Sequence, residues 1–245
     1  MLLKNHAPTK ELSILLPAYN EAAQIEQCVR QVERATKVFL DSYEIIVSED
    51  GSTDKTDLLV ANMAEHNPNL YLIHSKNRLG KGKAIKNAVA KSNGAYIVFM
   101  DVDLATDLSC LPALLEAVKR NHGMAIGSRH VKGASVERGT KRTIFSLTYN
   151  LLVRLLFMDD VHDHQCGFKM MTRQVAENVL DFSKSDGYFF DTEMIVRCKQ
   201  LGYPVEEVAV HWTEKGKGAN SKVNPIHDGR KIGLEMLAFR LNRSK

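Results

Sequence analysis

No stretch of this 245-residue sequence reaches the ~18 consecutive apolar residues that a membrane-spanning helix needs. The longest apolar-rich segment, Ile144 to Met158, is broken by Ser146, Thr148, Asn150 and Arg154. The opening MLLKNHAPTKEL has no apolar h-region, so no signal peptide is expected. The four cysteines, Cys28, Cys110, Cys166 and Cys198, contain no CxxC pair, which reads as reduced, intracellular usage. His162, His164, His211 and His227 have no zinc-site spacing. Internal repeats, low-complexity tracts and a clear linker are all lacking. The net charge of +4 is too small to argue for nucleic acid, and none is expected as a partner.

What is present is an ordinary globular composition, 44% hydrophobic and 25% charged, sized for one α/β domain with a carboxyl-terminal extension. The basic residues are grouped: Lys76, Arg78, Lys81, Lys83 and Lys86; then Arg129, Lys132, Arg138, Lys141 and Arg142; then Lys215, Lys217 and Lys222; then Arg230, Lys231, Arg240, Arg243 and Lys245. Each group is either a solvated face or a surface for phosphates or an anionic membrane.

Short apolar runs alternate with helical spacing through the first half. Strands are expected at Leu12–Leu16, Glu44–Val47, Tyr71–His74, Ala95–Met100 and Met124–Gly127. Helices are expected at Ala22–Leu40, Asp54–Glu65, Lys83–Lys91 and Leu108–Arg120. Repeated βα units imply a mainly parallel sheet with helices on both faces and ligands beyond the carboxyl ends of its strands. The second half reads as a helix at Arg142–Met158, a strand at Phe168–Met171, a helix at Thr192–Leu201, a strand at Val205–Trp212, a polar mobile loop at Glu214–Asn224 and a basic helix at Ile226–Leu241. In the first of these helices Ile144, Leu147, Leu151, Leu155 and Met158 recur at spacings of three and four, widened by Phe145, Leu152 and Phe157. Such a stripe lies either on the protein's own core or in a membrane interface, with Lys141, Arg142 and Arg154 at the headgroups.

The chemistry-bearing segments fall at the strand ends. Asp101 and Asp103 follow an apolar strand, and two carboxylates one residue apart at such a point can meet one hard cation, Mg²⁺ or Mn²⁺, shared with substrate phosphates. Capped turns are the plainer alternative. An EF-hand would need Gly where Thr106 stands, and a DxDxT phosphatase would need Thr at Ala105. Pro17, Tyr19 and Glu21 end the first strand and Asp50 ends the second; Tyr19 can stack on a base, Glu21 can accept ribose hydroxyls and Asp50 can accept a base N–H. Turn and capping roles suit the same segments. The glycines around Lys81 fit neither GxGxxG nor a P-loop, because Ile85 and Asn87 occupy the diagnostic positions.

Taken in order, LLPAYNEA, EDGSTDKT, NRLGKGKA, FMDVDLAT and Gly127-Ser128-Arg129 resemble the family 2 glycosyltransferases. The segments HQCGFK, FDTE and VAVHWTE are similar to the polyprenyl-phosphate glycosyltransferases within that family, first the dolichyl-phosphate β-glucosyltransferases and then the mannose synthases. The resemblance covers about residues 12–240. It implies a GT-A fold in a single domain, with residues 12–130 binding the nucleotide sugar and 131–245 serving the acceptor and membrane interface. It implies Pro17, Tyr19, Glu21 and Asp50 around the nucleoside, and Lys81, Lys215, Lys217 and Lys222 near the diphosphate. It places metal on Asp101 and Asp103, Arg129 and Arg142 facing phosphates, and Asp163 with Gln165 at the reacting centre. Expected partners are a nucleotide-diphosphate sugar, with UDP-glucose leading and GDP-mannose open, and a polyprenyl phosphate. The expected location is peripheral, at the cytoplasmic face of a membrane. Other outcomes are a glycan acceptor or a nucleotide-sugar binding protein without turnover. Three departures from the pattern stand out: Ala105 replaces a metal-site Gln of some mannose synthases, Glu49 replaces an Asp, and membrane-spanning segments have no counterpart here.

Overall fold

The computed structural model describes residues 7–214 and 225–242, with the backbone alone at 141, 142, 225–231 and 242. The sheet is built first from β1 (Lys10–Ala18), β2 (Tyr43–Asp50), β3 (Leu70–Ser75) and β4 (Gly94–Phe99), joined by α1 (Ile25–Lys37), α2 (Thr56–Glu65) and α3 (Lys81–Lys91). These strands are parallel. Their side chains alternate between two cores, as a strand buried on both faces requires. Leu12, Ile14 and Leu16 meet α1, α2 and α4 (Leu111–Asn121), whereas Leu15, Ile46 and Phe99 meet α3, α6 (Arg173–Phe182) and α7 (Phe190–Gln200).

The second half completes a seven-stranded sheet in the order β3-β2-β1-β4-β7-β5-β8. β5 is Met124–Ser128, β7 Lys169–Thr172 and β8 Val205–Ala209. β7 runs antiparallel to both β4 and β5, so it enters the sheet from the end where the parallel strands finish. That reversal carries Cys166 and Gly167 to the carboxyl edge beside Asp101.

Several expected boundaries shift for local reasons. α1 begins at Ile25 rather than Ala22, because the backbone amides of Glu21 and Ala22 are tied to Thr56 and Asp54. The expected strand Val205–Trp212 divides at Val210, which donates to Ser128 O and accepts from Ser135 N; β9 (His211–Thr213) then pairs with β6 (Ser135–Glu137) in a separate small sheet. α6 had no expected counterpart; it follows β7 directly, with the Thr172 hydroxyl accepting from Val175 N at 3.2 Å. The loop expected at 214–224 falls, beyond Glu214, outside the described residues.

α5 (Thr140–Phe157) buries two polar residues and leaves an apolar stripe outside. Ser146 and Asn150 are buried, while Ile144, Phe145, Leu147, Leu151, Leu152, Leu155 and Met158 are exposed by 49% to 87%. The stripe does not pack on the protein's own core. Phe157, expected on that stripe, is instead buried with Tyr149 and Val153 against Phe189, Val196 and two residues of α8 (Pro225–Asn242), Met236 and Phe239. α8 adds exposed Leu234, Leu237 and Leu241. Among the described residues no helix is long and apolar enough to cross a membrane. Phe157→Ala is expected to lose about 3 kcal/mol of unfolding free energy in a denaturant titration, whereas Phe145→Ala stays within about 0.5 kcal/mol of wild type.

Candidate active site

The carboxyl edge of β4 opens into the Asp101–Asp103 loop, and this loop is pinned. Asp103 Oδ1 accepts from Ala105 N at 3.0 Å. β9 clamps the far side, with Thr213 N donating to Ala105 O at 2.9 Å and Asp107 N to His211 O at 2.8 Å. A cleft of about 100 Å³ lies over the loop, lined by both aspartates, Arg129, Gln165, Gly167 and Trp212. The first sequence-derived group is therefore brought together: Asp101, Asp103, Arg129 and Gln165 share one cleft. Gly167 leaves room for the Asp101 carboxylate at this edge. A Cβ there would stand 2.0 Å from Asp101 Oδ2.

Asp101 is held by a chain of alternating charge. Its Oδ1 lies 2.9 Å from Lys81 Nζ. Lys81 reaches Asp191 Oδ2 at 3.1 Å, and Asp191 Oδ1 takes the fully buried Lys169 Nζ at 2.6 Å. Burial opposes ionisation of both Lys81 and Asp191. The neighbouring opposite charges prevail, raising the pKa of Lys81 and lowering that of Asp191. Asp103 moves the other way: burial, then the charges of Asp101 and Glu21, raise its pKa above the usual carboxylate value. Two carboxylates that repel each other at the edge of an open cleft, each with an oxygen outside the bonds just described, form a donor set suited to a hard divalent cation. Among the described residues there is no cluster of three or more His, Cys, Asp or Glu placed to hold a metal. Remaining ligands would have to come from substrate oxygens and water, as Mg²⁺ and Mn²⁺ commonly accept.

Arg129 faces the cleft from the end of β5, and Asp163 stands behind it. The guanidinium forks onto the carboxylate, Nε to Oδ2 at 2.7 Å and Nη2 to Oδ1 at 2.8 Å, while Arg129 N also donates to Oδ2. Asp163 is 0% exposed. Its burial would raise the pKa, but the Arg129 hydrogen bonds and charge outweigh it and lower it. Asp163, expected beside the reacting centre, is sealed behind Arg129, with both carboxylate oxygens bonded to that guanidinium. Arg129 also stacks near Trp212, with Arg138 on the same ring at 5.3 Å.

The residues expected around a nucleoside lie at the ends of β1 and β2. Asp50 accepts from Leu79 N at 2.7 Å and Gly80 N at 2.8 Å, so its carboxylate holds the glycine loop. That loop docks on the second half: a Cβ on Gly80 would meet Asp186 O at 2.2 Å, and Gly82 N donates to the same oxygen. Arg78 lies over the Tyr19 ring at 4.0 Å, on the surface the sequence assigns to a base. Pro17, Tyr19 and Glu21 remain partly exposed at the same strand edge. Glu49 is turned away, its carboxylate bonded to His74 and to Ser52 N. The side chain of Arg142 and all of Lys215, Lys217 and Lys222 lie outside the described residues. Sequence reasoning missed Lys169, Asp191 and Trp212 as site residues, although all three lie within the segments HQCGFK, FDTE and VAVHWTE.

The sheet order, the pinned carboxylate pair and the arginine opposite it define a GT-A glycosyltransferase fold. A family model described as Glycosyl transferase family 2 matches residues 13–180, and the chain belongs to that family. It is 39% identical over 230 residues to Glycosyltransferase AglD of Haloferax volcanii, covering 93% of this chain and 36% of that protein. It is 31% identical over 251 residues to the dolichyl-phosphate beta-glucosyltransferase of Dictyostelium discoideum, covering 97% of this chain and 76% of that one. The chain thus spans about a third of the first relative's length and about three quarters of the second's. Among solved structures, glucosyl-3-phosphoglycerate synthase from Mycobacterium tuberculosis with uridine-diphosphate matches at a TM-score of 0.67 and 19% identity, over 96% of this chain and 80% of that one. The same enzyme with Mn²⁺, uridine-diphosphate and phosphoglyceric acid matches at 0.66 and 20%, over 96% and 78%. At that identity the likeness establishes the fold.

Asp163→Asn leaves Arg129 buried without its counter-charge, and is expected to cost about 3 kcal/mol of stability at pH 7. The folded pKa of Asp163 is depressed, so its contribution is complete above the unfolded value of about 3.9 and lost as pH falls through the folded one. The melting-temperature gap between wild type and variant should therefore narrow below about pH 4.

Proposed function

We propose that the chain transfers a hexose, with UDP-glucose as the leading donor, from a nucleotide diphosphate to a polyprenyl phosphate of the dolichyl type, with inversion at the anomeric carbon. The observation that carries this reading is the Asp101–Asp103 pair facing Arg129 across one cleft at the carboxyl edge of the sheet. The name of the Dictyostelium relative, dolichyl-phosphate beta-glucosyltransferase, supports the acceptor and the sugar. A phosphate oxygen of the acceptor attacks the anomeric carbon as the bond to the diphosphate oxygen breaks, and the bonding electrons leave with the nucleotide diphosphate. The acceptor phosphate is already an anion near neutral pH, so no general base is needed, in keeping with the sealed state of Asp163. Arg129 orients a phosphate and offsets its charge. Asp101 and Asp103 would hold Mg²⁺ or Mn²⁺, which when bound supplies charge stabilisation on the leaving diphosphate.

Asp101→Asn or Asp103→Asn should lower transfer by roughly 100-fold or more, and chelator should do the same to wild type. The assay is release of nucleotide diphosphate from a panel of UDP- and GDP-sugars with a polyprenyl phosphate. Consumption of GDP-mannose alone overturns the donor; nucleotide-sugar binding with no release for any acceptor overturns turnover itself.

The acceptor's tail gives the exposed apolar stripe of α5 a use. The exposed stripe of α5, continued by Leu234, Leu237 and Leu241 of α8, is suited to lie in a membrane interface, peripherally and at the cytoplasmic face. Because the stripe is exposed, Phe145→Ser with Leu152→Ser should abolish liposome binding while the melting temperature holds. Unchanged liposome binding by the folded double variant would defeat the membrane role.

A further inference from the structure

Lys81 already occupies the carboxylate that the reading above assigns to a divalent cation. Its ammonium sits 2.9 Å from Asp101 Oδ1 and 3.1 Å from Asp191 Oδ2, with its side chain only 19% exposed. The position is fixed from both directions. Lys81 opens α3 next to Gly80, whose amide is bound by Asp50, and Gly82 N is bound by Asp186 O. Asp191 in turn is anchored by buried Lys169. The other Asp101 oxygen lies against Gly167, both residues line the cleft, and the Asp101 side chain is 49% exposed. A cation on that oxygen would share one carboxyl group with a resident ammonium.

We propose that Lys81 is a built-in counter-ion of Asp101 that makes divalent-metal binding conditional on the nucleotide diphosphate. Without the diphosphate, the ammonium and the incoming cation repel each other across one carboxylate. A diphosphate arriving in the cleft brings oxygens that both cations can share, so the repulsion is offset. Metal and nucleotide then each strengthen the other's binding by the same factor. The inference rests on the nucleotide-diphosphate reading of the site, and Lys81 is here a positioning and gating residue.

The test is binding of Mn²⁺ alone, followed by free-ion electron paramagnetic resonance, with and without saturating UDP. Wild type should bind Mn²⁺ weakly and tighten at least tenfold with UDP. Lys81→Met should bind Mn²⁺ alone more tightly, on the order of tenfold, since a unit and a double charge a few ångströms apart repel by that much even at the dielectric of water. Its UDP effect should shrink to a few-fold. Lys81→Arg keeps the charge and should behave as wild type. Lys81→Gln, which can still hydrogen bond to Asp191, serves if the methionine variant does not fold. Equal Mn²⁺ affinity in wild type and the neutral variants overturns the proposal, as does wild-type Mn²⁺ binding indifferent to UDP. If UDP binds to no form of the protein, the nucleotide reading fails instead, and the Mn²⁺ comparison still decides whether Lys81 opposes the cation.

Discussion

Lys169 has no exposure at all, and everything around the cleft follows from how its charge is satisfied. An ammonium buried without a partner costs several kcal/mol, so Asp191 has to meet it. Asp191 has a second oxygen, which takes Lys81; Lys81 in turn takes Asp101. The chain runs from the antiparallel strand β7 through α7 to the start of α3 and ends on the β4 loop. It therefore joins the first half of the fold to the second through charge rather than through apolar packing alone. The glycines are consequences of that closure. Gly80 and Gly82 let α3 start against the 185–190 segment, and Gly167 lets β7 begin against Asp101. Each would put a Cβ inside 3 Å of another atom.

The second ion pair follows the same logic one strand over. Asp163 gives both oxygens to Arg129 and keeps none for solvent. Glu207 then fixes the segment from beneath, accepting from His162 N and Asp163 N. The cleft is thus built from side chains whose rotamers are set by partners behind them, the arrangement that preorganised electrostatics needs. β9 does the same for the backbone of the Asp101–Asp103 loop.

The parallel core and the motif positions were legible because their signals are local. A run such as Leu12–Leu16 announces a strand buried on both faces, and a carboxylate pair after Met100 needs no distant residue to be noticed. The helix stripe of α5 was legible as periodicity but not as orientation; only the burial of Ser146 and Asn150 tells which face turns inward. The charge chain was not legible. Lys81 and Asp191 are 110 residues apart, and nothing in either segment names the other. Asp50 shows the same limit from another side. Its carboxylate at a strand end suits a ligand and a loop amide equally, and the choice depends on where Leu79 and Gly80 arrive.

The two polar residues on the inward face of α5, Ser146 and Asn150, have a structural purpose beside the buried Tyr149, Val153 and Phe157. Asn150 accepts from His164 N at 2.9 Å through Oδ1, which also lies 3.0 Å from His164 Nδ1, while its amide nitrogen donates to Ser146 O. The other ring nitrogen of His164 lies 3.0 Å from Asp159 Oδ2. His164 is the neighbour of Asp163, which holds Arg129. Apolar contacts such as those of Tyr149, Val153 and Phe157 have little direction and would by themselves let the helix slide on its support. Hydrogen bonds to a buried histidine do not permit that without leaving polar atoms unpaired, at about 1–3 kcal/mol each. The outward stripe is therefore carried on a helix whose register is locked to the segment that aims Arg129. Under the function proposed, a lipid tail resting on that stripe and its phosphate at Arg129 would be positioned by one rigid body, so the distance between membrane surface and cleft is set by the fold.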